Sequence, residues 1–85
     1  MEFIPTKHAK KRFYERGLPN PTKQELKLKR ASKTVRRFVI EKFGWGKDLC
    51  DLTFFLCEYE KRKIVYLCKE VRDQVFLIIT AFKLR

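Results

Sequence analysis

The chain reads as an α+β domain, with two N-terminal helices packed on a small antiparallel β-sheet of three to four strands. Three observations predict this. Helix-start and helix-stop residues bracket positions 6–17, and a second amphipathic pattern follows a capping signal at Thr22. From Leu52 onward the sequence changes to aromatic and β-branched runs separated by short charged turns. Eighty-five residues make one domain, 1–85, with a core just large enough to fold unaided. A hydrophobic content of 45% with 14% aromatics argues for a packed core, although 36% of residues are charged.

Phe3 and Ile4, in the short segment Met1 to Pro5, suit either an edge strand or packing beneath the first helix. In that helix the Thr6 hydroxyl can cap the first turn, and Gly17 can take the left-handed conformation that stops the last. At 100° per residue Ala9 and Phe13 define an apolar face, and His8, Arg12 and Arg16 form a stripe along its flank. In Leu18-Pro19-Asn20-Pro21 each proline fixes its own φ and pushes its predecessor out of the helical region, so this run is a turn. Thr22 and Glu25 then form a capping box for the second helix. Leu28, Ala31, Val35, Phe38 and Val39 share one face of it, and Lys29, Arg30, Lys33, Arg36 and Arg37 spread over the opposite side. Residues 38–43 fit its last turns or a first strand equally well, and Gly44-Trp45-Gly46 ends the element in either case.

The C-terminal half is β, with strands over Leu52 to Tyr59, Ile64 to Lys69 and Val75 to Lys83. The connections Glu60-Lys61-Arg62-Lys63 and Glu70-Val71-Arg72-Asp73 are short enough to require an antiparallel meander. In the last strand both parities are apolar. Val75, Leu77, Ile79 and Ala81 lie on one face, with Phe76, Ile78 and Phe82 on the other, so it should be covered on both sides. The helices are expected across one face of the sheet.

Charge narrows the class of partner. The net charge is +11, and its distribution is uneven. Met1 to Arg37 holds 12 Lys/Arg against 3 Asp/Glu, giving +9, whereas Phe38 to Arg85 holds 9 against 7, giving +2. No acidic residue lies between Leu26 and Ile40, so like-charge repulsion there goes uncompensated, as on a polyanion-binding face. Nucleic acid is the leading expected partner, then an acidic protein, then an anionic membrane surface. No apolar run approaches the roughly 18 residues of a membrane span. The N-terminus turns charged at once, and the expected location is cytoplasmic. Cys50, Cys57 and Cys68 are odd in number and lack paired spacing, and one distant histidine does not complete a zinc set. They are expected to be core thiols, with neither metal nor other cofactor.

Two segments, TKHAKKRFYERGL and FLIITAFKLR, together resemble the opening and closing motifs of a family of small RelE-related domains. That family begins with a helix reading His-Ala…Arg…Glu-Arg-Gly-Ile, ends in a strand reading Ile-Thr-Ala-Tyr, and belongs to the barnase–EndoU–colicin–RelE superfamily of metal-independent ribonucleases, many of them toxins. The matched segments cover about a quarter of the chain. The second helix is far more basic than the family pattern, and Leu18 stands where isoleucine is common. The resemblance implies a RelE-like fold and an endoribonuclease that cleaves RNA, free or ribosome-associated, by 2′-hydroxyl attack. Such a reaction needs a base for the 2′-hydroxyl, an acid for the departing oxygen and fixed positive charge for the phosphorane.

An imidazole can give or take that proton near neutrality, so His8 is the first candidate. Arg12 and Arg16 are candidate phosphate clamps, and Glu15 is the candidate orienter of His8 or second proton carrier. Thr80 and Lys83 enter through the strand motif as a hydroxyl donor and a phosphate contact. Lys7, Lys11, Lys29, Arg30, Lys33, Arg36 and Arg37 are the candidate nucleic-acid contacts. A non-catalytic nucleic-acid-binding regulator on the same fold, or a module docking an acidic antitoxin-like protein, are the alternatives.

Overall fold

A computed structural model of the chain describes residues 1–22, 26–43 and 51–84. Among the described residues two helices and five strands follow in the order β1 (Glu2–Pro5), α1 (Lys7–Arg16), β2 (Lys29–Arg30), α2 (Lys33–Phe43), β3 (Thr53–Tyr59), β4 (Arg62–Arg72) and β5 (Val75–Leu84). The strands form one mixed sheet in the order β1-β5-β4-β3-β2. The expectation of a three- to four-stranded antiparallel sheet is therefore corrected. The β3-β4-β5 meander forms as its short turns require, but a strand is added at each edge. Phe3 and its neighbours pair parallel to β5, with Phe3 opposite Phe76, while Lys29 and Arg30 pair antiparallel to β3 opposite Leu56 and Phe55.

The second helix starts later than its apolar spacing predicts. Thr22 does not cap it, because both its backbone N–H and its hydroxyl donate to Asn20 Oδ1, at 3.0 and 2.7 Å. Ser32 caps instead, with its Oγ accepting from Val35 N at 3.3 Å. Residues 38–43 are helix. Glu25, Gly44-Trp45-Gly46 and Cys50 lie outside the described residues.

The helices do not share a face of the sheet. Ala9 and Phe13 of α1 pack with Leu18, Phe55, Tyr66, Cys68, Phe76, Ile78 and Ala81. Val35, Val39 and Ile40 of α2 pack with Phe54, Val65, Leu67 and Phe82 on the opposite side. Alternation along β3 and β4 explains this split, since Phe55 opposes Tyr66 on the α1 face and Phe54 opposes Leu67 on the α2 face. Two apolar parities on adjacent strands require cover on both sides, and one helix goes to each.

A register shift in β5 alters its parity. Leu67 pairs with Thr80 but Cys68 pairs with Ile78, so Ile79 is an extra residue in the ladder. Before the bulge Phe76 and Ile78 face α1; after it Ala81 faces α1 and Phe82 faces α2. Simple alternation assigns Ala81 and Phe82 to the wrong sides for this reason. Among the described residues no helix is long and apolar enough to cross a membrane.

Candidate nucleic-acid interface

The α1 stripe is fixed at both ends. Thr6 accepts a hydrogen bond from Ala9 N at 3.1 Å, and its hydroxyl donates to Ile78 O at 3.1 Å, which joins the start of the helix to β5. Gly17 has φ +62°, and its N–H is directed at the carbonyls of Phe13 and Tyr14. Phe13 meets Tyr66 edge-on with ring centroids 5.8 Å apart, so the buried face sets the helix rotation and turns Lys7, His8 and Lys11 to solvent.

Three of the five candidate catalytic residues come together. Arg12 Nε donates to His8 Nε2 at 3.3 Å, and Arg12 Nη1 lies 3.7 Å from Glu15 Oε1. Arg16 is occupied elsewhere: its Nη1 donates to Ala81 O at 2.6 Å. Thr80 is buried opposite Leu67, on the sheet face that α2 covers, and so lies across the sheet from His8. The bulge at Ile79 sends it there.

A groove drawing on both sides of the sheet beside β2 and β3 gathers cations from well-separated parts of the sequence. A cavity of about 720 Å³ has Val35 and Leu56 of the α2-side cluster and Leu26 and Cys57 of the α1-side cluster among its lining, with Lys27, Lys29, Arg30 and Lys63 around it and Glu58 as the acidic residue present. A second cavity of about 550 Å³ shares Val35, Leu56 and Lys63 with the first, and Phe38, Leu84, Lys61 and Arg62 extend it. Strand register explains the convergence. Lys29 opposes Leu56 and Leu56 opposes Val65, so all three share the α2 face, and Lys63, opposite Glu58, shares it as well. The β3-β4 hairpin brings Lys61 and Arg62 to the end of the second cavity, with Arg62 pairing with Tyr59 of the α1-side cluster. Lys27, Lys61, Arg62 and Lys63 are absent from the sequence-derived set. They sit in turns and at strand ends, and only the strand order places them beside Lys29.

The other candidate cations divide between solvent and aromatic rings, with Arg30 both lining the first cavity and lying over rings. Lys33 and Arg37 on α2 and Lys83 on β5 are exposed. Arg30 has the opposite parity to Lys29. Its guanidinium lies 5.7 Å from the Phe55 ring centroid and 5.6 Å from that of Phe76, capping the aromatic cluster that Phe3 completes. Arg36 is half-buried, with its guanidinium 5.3 Å from the Phe54 centroid.

The described cysteines are buried, free thiols. Burial pushes the Cys68 thiol up to about 12 and raises that of Cys57, so both remain protonated and unreactive near neutral pH. Tyr66 is pushed up as well, mainly by burial, and its hydroxyl donates to Pro19 O at 2.8 Å. Among the described residues no group of three or more His, Cys, Asp or Glu is placed to hold a metal ion. No family model, curated protein or solved structure matches this chain.

Proposed function

We propose that this protein binds RNA through its sugar–phosphate backbone, with the strand lying in the groove between α2 and the β3-β4 hairpin. The observation that carries this reading is the meeting of Lys27, Lys29, Lys61, Arg62 and Lys63 around an apolar-floored groove with Glu58 as the acidic residue lining it. Cations from separate segments brought to one concavity are costly for folding, because like charges repel, and the cost is relieved when a polyanion lies among them. In a salt titration with an RNA oligonucleotide, log affinity should fall linearly with log salt concentration, by about 0.7 per phosphate contacted. Absence of binding at low salt would retire the proposal.

The contact between Arg12 and His8 favours a second reading, in which bound RNA is also cleaved. An imidazole next to a guanidinium, with Glu15 beyond it, supplies a proton carrier and a phosphate ligand on one helix face. Incubation with RNA in EDTA would then give 2′,3′-cyclic phosphate ends and spare DNA, and His8→Ala would lose cleavage while retaining binding. RNA that stays intact under those conditions leaves a binding protein.

A further inference from the structure

The outer face of α1 holds a feature that the groove does not use. Tyr14 is 91% exposed, the largest exposure of a large hydrophobic side chain among the described residues. It lies on the solvent side of α1, about 140° around the helix from Ala9 and about 100° from Phe13, where a helix of this kind places polar residues. Lys10 and Lys11 stand four and three positions before it, and Lys7 one turn further back, so on a helix these residues line the N-terminal side of the phenol. All three lysines are exposed. A single exposed apolar side chain needs no explanation by itself. An uncovered aromatic ring with a run of exposed lysines along one side of it has the composition of a stacking platform, in which the ring takes a base and the ammonium groups take the neighbouring phosphates.

We infer that Tyr14 stacks against an unpaired base, so that α1 reads single-stranded RNA while the groove holds the backbone. This rests on the RNA-binding reading above and adds to it a preference for single strands, because bases paired in a duplex cannot present a face to the ring.

The test compares three ligands of matched length: a single-stranded oligouridylate, its duplex with oligoadenylate, and an abasic ribose-phosphate strand. The parent should bind the single strand more tightly than either of the others. Tyr14→Ala should weaken single-strand binding by roughly 5- to 150-fold, the range for loss of one base–aromatic stack. Its affinity for the abasic strand and its salt dependence should be unchanged. Tyr14→Trp should restore or exceed parental affinity. Position 14 faces solvent on a helix, so alanine there preserves the fold, and circular dichroism verifies it. Equal single-strand affinity for parent and Tyr14→Ala, with salt-sensitive binding intact, would overturn the platform and leave the RNA reading standing. A parent that binds none of the three ligands would overturn both.

Discussion

Arg16 shows how a residue chosen for chemistry can be held by the fold. On the helix it continues the His8–Arg12 stripe, yet its guanidinium donates at 2.6 Å to the carbonyl of Ala81 and so fastens the end of α1 to β5. A charge-assisted bond of this kind, partly open to water, contributes about 1–2 kcal/mol. Arg16→Ala should lower the free energy of urea unfolding by that amount, with a matching fall in the midpoint, whereas His8→Ala, on the exposed side of the same helix, should stay within about 0.5 kcal/mol of the parent. Parental stability in Arg16→Ala, together with weakened RNA binding, would return Arg16 to the phosphate contacts. The spacing of His8, Arg12 and Glu15 was legible in the sequence because i,i+4 and i,i+3 neighbours meet on any helix. The position of Thr80 was not legible, because one extra residue at Ile79 inverts the facing of everything after it and carries no local signature.

Among the elements, α1 and the β3-β4-β5 meander follow directly from caps, periodicity and turn length. The region before α2 does not. Leu28, Ala31 and Val35 satisfy a helical spacing, while Leu26-Lys27-Leu28-Lys29 also satisfies the two-residue alternation of a strand. The strand prevails at Lys29 and Arg30, where an open β3 edge offers backbone partners and a helix would have crowded uncompensated cations. The β3-β4 hairpin poses a related question, because Glu60 and Lys61 take φ +51° and +64° without being glycine. A left-handed lysine costs roughly 1 kcal/mol, and this one lines the groove. Lys61→Gly should therefore raise the melting temperature while lowering RNA affinity and reducing the salt slope by about 0.7. A variant that is both more stable and equally tight in binding would show that Lys61 does not touch RNA.

At the scale of the whole molecule, the +9 excess of residues 1–37 is divided by the sheet instead of gathered on one surface. Lys7 and Lys11 stand on the α1 side and Lys29, Lys33 and Arg37 on the α2 side of a body 31 × 30 × 21 Å in extent. Sequence alone could count the charge but could not reveal this division, which depends on which face each helix takes. An RNA that engages both surfaces must pass around an edge of the sheet, and only a strand of sufficient length can do so. Lys7→Ala/Lys11→Ala and Lys29→Ala/Lys63→Ala provide the test, since the two pairs lie on separate faces and share no partner. With a strand of roughly 20 nucleotides, beyond the site size of a single small domain, each double variant should weaken binding and the losses should add in the quadruple variant. With roughly 5 nucleotides, which engage one surface at a time, the tighter surface sets the affinity and only one double variant should matter. Losses from one double variant alone at both lengths would confine the RNA to that face and leave the other set of cations to a different polyanion.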